Sequence, residues 1–335
     1  MTDISQRKAD HINLALDAKH QADQSAGFEQ IRFIHNALPE LCMDDVDSST
    51  LFLNHHCSAP LIIGAMTGGC EHGETINRHL AEAAEHCTIP MAVGSQRAEL
   101  ETGLASKVRK WAPNALLLGN IGATQLQQQG VELAQRAIDS IEANAMVVHL
   151  NPLQELVQPN GDRDWRGVLN AIEQCCARVD VPVIVKEVGA GISIATAQRL
   201  MDAGVTWIDV AGRGGTNWAS IESARINESR EQQIASAFLD WGMPTVELIA
   251  GLRAQSGRLG IIASGGVRHG LDIARSVRLG ADMTAMAQPF LQPALESSEA
   301  VIEKITIFSE QLRWAMFLTG SKNLEQLQSA PLLNA

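Results

Sequence analysis

Short apolar runs recur along the chain from residue 61 onward: "LIIGAM" (61–66), "PMAVGS" (90–95), "ALLLGN" (115–120), "AMVVHL" (145–150), "VPVIVKEVG" (181–189), "WIDVAG" (207–212), "GIIASGG" (260–266) and "MTAMAQ" (283–288). A strand with one wet face would alternate apolar and polar residues. A nearly continuous run predicts a parallel strand buried on both faces. Between the runs, apolar residues return every three or four positions, as in 73–86, 130–143, 193–204 and 271–281. That period predicts amphipathic helices. Gly204 and Gly280 stand where the last two apolar faces stop, a common helix terminator. Eight strands alternating with helices over about 230 residues predict an α/β fold of the (β/α)8 TIM barrel type. A doubly wound sheet usually has fewer strands and a glycine fingerprint after the first.

Residues 1–60 pattern weakly and are expected to form an N-terminal segment that packs on the barrel and contributes to the substrate site; 61–335 would be the barrel. The connection from Gly212 to Pro244 is unusually long, Gly-rich and polar at its start and helical later. It leaves the sixth run on the face where barrel active sites sit, as a lid or binding loop would. Residues 290–318 read as one closing amphipathic helix.

Net charge is −12 over 335 residues. A duplex-binding or polybasic membrane protein leans the other way, so neither nucleic acid nor membrane is an expected partner. Any anionic ligand must be gripped by local positive groups. The six cysteines show no CxxC pair or zinc spacing. The polar N-terminus and the lack of a run of about 20 apolar residues lead us to expect a soluble cytoplasmic protein. Tyrosine is absent.

Polar and small residues gather where the runs end: "AMTGG", "GSQR", "GNIG", "HLNPLQE", "KEVGAG", "GRGGTN", "SGGVRHG" and "AQPF". Together they outline one polar-rimmed pocket with room for a flat ligand. Gly265, Gly266 and Arg268 after the seventh run, with Ala287 and Gln288 after the eighth, match the usual barrel phosphate site, although a glycine turn with a solvated arginine would read the same. Lys186 is either a surface lysine paired with Glu187 or a positive charge beside an electron-rich ring such as a reduced flavin. Arg7 and Lys8 either grip a phosphate or sit on a solvated helix face. In "HLNPLQE", His149 and Asn151 share a strand face, Gln154 cannot ionise, and Glu155 is a candidate Mg²⁺ ligand. A satisfied core histidine and a helix-entry cluster would explain the same residues. "GAGIS" and "GGVRHG" lack the context of a dinucleotide fingerprint.

In order, "RKADHI", "GAMTGG", "AVGSQR", "HLNPLQE", "PNGDRDW", "VPVIVKEVGAGIS", "GGTNW" and "IASGGVR" resemble the type 2 isopentenyl-diphosphate isomerases, flavin-dependent enzymes of isoprenoid synthesis. The resemblance covers nearly the whole chain, and "HLNPLQE" followed by "PNGDRDW" is its most specific part. It implies a (β/α)8 barrel that uses FMN, Mg²⁺ and NADPH, the last to reduce the flavin. It implies that Ala65, Met66, Thr67, Ser95, Asn120, Lys186, Thr216, Gly265, Gly266, Arg268, Ala287 and Gln288 contact FMN. Arg7, Lys8, Ser95, Gln96 and Arg97 would hold a diphosphate. His149, Asn151 and Gln154 would meet substrate, His149 and Gln154 as catalytic groups, and Glu155 would bind Mg²⁺. The implied reaction converts isopentenyl diphosphate to dimethylallyl diphosphate, with reduced FMN as acid/base catalyst. A homo-oligomer, tetramer or octamer, is expected on the same footing.

The rival on the same barrel is an FMN-dependent 2-hydroxy-acid oxidase. Such enzymes use a His base after the sixth strand and tyrosines in the pocket. This chain has Arg213, Thr216 and Asn217 there and no tyrosine. A purine-nucleotide dehydrogenase or reductase would need a loop cysteine, and residues 212–244 contain none.

Overall fold

The computed structural model describes residues 3–66, 71–103, 106–226 and 229–333, with 3–9 and 71–72 described in backbone only. A hairpin, β1 (Thr50–Phe52) and β2 (His55–Cys57), precedes the barrel strands β3 (Leu61–Ile63), β4 (Met91–Ala92), β5 (Leu117–Gly122), β6 (Ala145–His149), β7 (Val183–Lys186), β8 (Trp207–Asp209), β9 (Gly260–Ala263) and β10 (Met283–Met286). β3 to β10 pair in sequence order, all parallel, and β10 closes on β3 with Thr284 opposite Leu61. This is the expected closed (β/α)8 barrel.

The helices are α1 (Asp3–Leu16), α2 (Glu71–Cys87), α3 (Arg97–Thr102), α4 (Val108–Trp111), α5 (Ala123–Gln129), α6 (Val131–Ile141), α7 (Pro152–Val157), α8 (Val168–Arg178) and α9 (Ile194–Asp202). They continue as α10 (Trp218–Ala224), α11 (Ser229–Ser236), α12 (Thr245–Gln255), α13 (Gly270–Arg278), α14 (Gln288–Glu296), α15 (Ser298–Thr319) and α16 (Leu324–Gln328). The predicted closing helix is broken. Ser297 is extended and its hydroxyl accepts from Ala300 N–H, so α14 ends and α15 is capped there.

Alternation along each strand separates two cores. Ile62, Leu118, Val147, Ile184, Ile262 and Ala285 pack inside the barrel, while Leu61, Ile63, Leu117, Val148, Val185 and Ile261 pack outward under the helices. Both sets are apolar, so the runs looked continuous in sequence although the side chains alternate. Phe52 of the hairpin packs edge-on against Trp207, ring centroids 4.8 Å apart, in the interior cluster. Truncating a buried outer residue such as Leu117 to Ala would cost about 2–5 kcal/mol.

The same alternation carries chemistry. Two residues beyond the inward Leu118, Val147, Ile184, Trp207, Ile262 and Ala285 come Asn120, His149, Lys186, Asp209, Ser264 and Ala287. Strand period alone delivers these groups to one mouth.

Candidate active site

Two cavities meet at that mouth. The first, about 140 Å³, is lined by Gly64, Ala65, Met66, Lys186, Asp209, Thr216, Gly265, Gly266, Arg268, Ala287 and Gln288, among others. The second, about 170 Å³, is lined by Ser95, Arg97, Asn120, Gln125, His149, Asn151, Gln154, Glu155 and Gln158. His11, Ala65, Met66, Lys186, Val188 and Trp218 border both.

The first cavity is mostly backbone. Gly265 and Gly266 have φ of +93° and +79°, and a Cβ on Gly265 would stand 2.0 Å from the carbonyl oxygen of Gly212. Both glycines are therefore needed to pack the loop after β9 against the loop after β8, whatever binds beside them. Arg268 extends over that loop and its Nη2 donates to the Gly214 carbonyl, 3.2 Å.

Lys186 does not pair with the Glu187 side chain. Glu187 turns away, and its Oε2 accepts the N–H groups of Val188, Gly189, Ala190 and Gly191. Burial pushes that carboxyl upward, and the four donors pull against it. Lys186 donates to the Glu187 backbone carbonyl, 2.5 Å. The carboxylate facing it is Asp209, directly across the β7–β8 register. Burial raises the Asp209 carboxyl, while Lys186, Ser264 and the Ala211 N–H act in the opposite direction.

The second cavity is built of side chains. Pro152 starts α7 at a position where its missing N–H costs nothing. Asn151, Gln154 and Glu155 then fall on one face, at i, i+3 and i+4. Asn151 Nδ2 donates to Glu155 Oε1 at 2.9 Å, and the Asp162 N–H donates to Glu155 Oε2 at 2.7 Å. Gln154 Nε2 donates to Glu222 Oε1 at 3.0 Å.

Glu222 lies on α10, which starts because Asn217 caps it by accepting from Ser220 N–H. Fully buried, Glu222 also receives Arg225 Nη1 at 2.7 Å, and His11 Nε2 stands 3.0 Å away. Burial alone would raise its carboxyl, yet His11, Gln154 and Arg225 hold it below its ordinary value. Asp10 lies 3.5 Å from Arg225 Nε, so Asp10 and His11 both bring α1 against the end of α10.

His149 has a fixed tautomer. Asn120 Nδ2 donates to the Val93 carbonyl, which leaves Asn120 Oδ1 as an acceptor. The 2.8 Å contact from His149 Nδ1 to that oxygen must then be an N–H donation. Nε2 is left as a bare acceptor beside Gly122. Burial, then Lys186, lowers the His149 pKa to about 3.

The structure places the expected site residues as follows. The Gln96 side chain is buried, its Nε2 donating to Ala137 O and Ser140 Oγ and its Oε1 accepting from Asn120 N–H, and it lines neither cavity. Asn120 and Ser95 line the second cavity and not the first. His149 lines the second cavity with its Nδ1–H given to Asn120, which leaves Nε2 as its remaining acceptor. Arg213 lies outside both cavities, with Nη1 donating to the Asp240 carbonyl at 3.0 Å. Arg97 borders the second cavity while paired with Glu101. Thr67 lies outside the described residues, and only the backbone of Arg7 and Lys8 is described, in α1.

Reasoning from sequence missed Asp209, Trp218, Glu222, Gln125 and Gln158. The period-2 register could have revealed Asp209. Nothing local marks Glu222, which reaches the site from a helix in the long connection.

Among the described residues, no group of three or more His, Cys, Asp or Glu could hold a metal by itself, and no helix is long and apolar enough to cross a membrane.

Comparison with known proteins adds names to this geometry. The FMN-dependent dehydrogenase family matches residues 153–334. The chain is 51% identical over 333 residues to the isopentenyl-diphosphate delta-isomerase of Stutzerimonas stutzeri, covering 98% of this chain and 96% of the relative. It is 49% identical to the enzyme of that name from Pseudescherichia vulneris, again covering 98% and 96%. The Nostoc sp. relative of the same name is 45% identical, covering 96% and 93%. Among solved structures, a mandelate oxidase variant carrying a C4a-OH-FMN adduct superposes with a TM-score of 0.68 at 18% identity, covering 99% of this chain and 98% of that one. At that identity the likeness concerns the fold alone.

Proposed function

The chain belongs to the isopentenyl-diphosphate delta-isomerase family, and from that premise we propose how its two cavities divide the work. The enzyme isomerises isopentenyl diphosphate to dimethylallyl diphosphate and is an FMN-dependent barrel protein. The observation that carries the division is the shared wall. Met66, Lys186 and Trp218 border both cavities, so a flat cofactor held in the first would lie next to a small ligand held in the second.

The first cavity fits FMN. Gly265, Gly266, Arg268 and the start of α14 offer N–H groups and a guanidinium to a phosphate, and Lys186 offers a positive charge to the ring. Reduced FMN, when bound, supplies the acid and base that add a proton at C4 of the substrate and remove one from C2. NADPH as its reductant is part of the proposal.

The chain's own residues bind, orient and exclude water. Arg97 and, from α1, Arg7 and Lys8 would hold the diphosphate. Gln154 lines the second cavity, held through its N–H by the ionised Glu222, so its carboxamide would orient the olefin. His11 and Trp218, packed edge-on against each other, border both cavities. His149, its Nδ1–H engaged by Asn120, would meet a ligand or water through Nε2.

Mg²⁺ fits the second cavity only with help from substrate. Glu155 is its one described carboxylate, and both of its oxygens already accept one hydrogen bond. Mg²⁺ commonly takes one or two carboxylates and completes its shell with water and substrate phosphate. A tetramer or octamer and a cytoplasmic location complete the reading. Exposed Trp241 and Trp314 are side chains of the kind that subunit interfaces cover.

The test is conversion of isopentenyl diphosphate followed by proton NMR. Turnover is expected with Mg²⁺ once the bound flavin is reduced. Full turnover with oxidised flavin under air, or none with reduced FMN and Mg²⁺, would overturn the reading.

A further inference from the structure

The "PNGDRDW" segment borders neither cavity at Asp162, yet Asp162 touches two residues that do. Its Oδ2 accepts from Gln125 Nε2 at 2.9 Å and from Thr124 Oγ1 at 3.2 Å. Its Oδ1 accepts from Gln128 Nε2 at 3.2 Å. All three donors come from α5. On the other side, the Asp162 backbone N–H donates to Glu155 Oε2 at 2.7 Å, and its carbonyl accepts from Trp165 Nε1 at 3.1 Å. The residue thus ties α5, the turn after α7 and the Glu155 carboxylate together.

The consequence for Gln125 is directional. Its amide nitrogen is spent on Asp162 and on Thr124 Oγ1, 2.8 Å away. Its oxygen must then face the other way, against Gly122, where a Cβ would stand only 1.8 Å from it. The unprotonated Nε2 of His149 borders the same glycine. This side of the second cavity therefore carries Gln125 Oε1, His149 Nε2 and the Glu155 carboxylate: three acceptors, two without charge. A wall of acceptors repels a bare diphosphate and suits a hydrated divalent cation, whose waters are all donors.

We propose that Asp162 is a positioning residue for a hydrated divalent cation, holding Glu155 through its backbone N–H and turning the Gln125 amide so that its oxygen faces the cavity. The proposal rests on the reading of Glu155 as the metal carboxylate. In Asp162→Asn one acceptor becomes a donor. Uncharged and with one acceptor fewer, the asparagine holds the Gln125 amide less firmly, so the acceptor on the cation side is no longer fixed.

The test uses Mn²⁺ as the probe, titrated by electron paramagnetic resonance into the FMN-loaded protein with saturating isopentenyl diphosphate. Asp162→Asn should weaken Mn²⁺ binding about tenfold, as expected for a metal site losing an outer partner. Flavin content should stay at the parent level, and Gln128→Ala, which removes only an exposed donor, should bind as the parent does. Gln125→Met leaves Asp162 its Thr124 and Gln128 donors and its N–H on Glu155, and should weaken Mn²⁺ severalfold, so it carries the test if Asp162→Asn does not fold. Parent-like Mn²⁺ binding in folded Asp162→Asn, or in Gln125→Met when that variant must stand alone, overturns the proposal. Parent-like binding in Glu155→Gln overturns the metal role of Glu155 itself, a separate failure.

Discussion

The two cavities are built from different material. The first is strand ends and glycine backbone, with Lys186 and Arg268 as its positive groups and Asp209 facing the lysine. The second is lined by side chains from α1, α3, β5, α5, β6, α7 and α10 among others, half of them amide, imidazole or carboxylate. Backbone donors can serve any ligand with a phosphate tail and a flat ring, so the first cavity follows from the barrel. The second depends on particular pairs, Gln154 with Glu222 and Asn151 with Glu155, and there the chain is specialised. Damage to the first should release cofactor. Damage to the second should leave cofactor bound and spoil the reaction.

The sharpest break comes from Gly265→Ala. The new Cβ would meet the Gly212 carbonyl, and the backbone stays at positive φ. Strain of about 1–3 kcal/mol is expected before the clash is counted. Thermal melting and flavin content after gel filtration should both fall, with most of the FMN lost. Retention of a full complement would show that the first cavity tolerates what its geometry forbids.

Glu222→Gln tests the other side. It keeps size and removes the charge that holds Gln154, His11 and Arg225. A displaced Gln154 should lower kcat on the order of 100-fold while flavin stays bound. Steady-state kinetics should show KM changing much less. A loss confined to KM would make Glu222 a substrate-binding support only.

Lys186→Met lies on the shared wall and should affect both cavities modestly. Removing the cation beside the ring should make the flavin harder to reduce by about 30 mV, equivalent to about 1.4 kcal/mol for two electrons. A spectroelectrochemical titration checks this, and an unchanged potential would place the charge elsewhere.

The smallest effect concerns pH. His149 titrates near 3 in the fold and near 6.5 when unfolded. Its folded form binds fewer protons, so its contribution to stability is complete above about pH 6.5 and is lost as pH falls toward 3. Melting temperatures of His149→Gln should therefore fall less than the parent's between pH 6.5 and 4.5. An equal decline would mean that His149 is charged in the fold.

The sequence was most readable where one strand rule repeated. The eight runs, the helices between them and the phosphate-end glycines all appear in the structure, because burial on both faces leaves an unmistakable apolar signature. The "HLNPLQE" cluster was also readable, since Pro152 opens a helix and spaces Asn151, Gln154 and Glu155 on one face. The placement of Gln96 was not readable, since a polar residue at a strand end looks the same whether it faces a cavity or joins β5 to α6, as its side chain does. Lys186 and Glu187 are neighbours in sequence, yet a strand sends neighbours to opposite faces, and the carboxylate across the register from Lys186 sits on the adjacent strand.

The sequence by itself determined the barrel, its order, and the residue types that reach its mouth, because these follow from local periodicity and turn chemistry. Only the tertiary structure decided which polar groups meet. Asp209 faces Lys186, Glu222 holds Gln154, Asn120 fixes the tautomer of His149, and Asp162 joins α5 to Glu155. Each of these contacts spans different elements, and a hydrogen bond forms between atoms that are close in space, a quantity that no local pattern encodes.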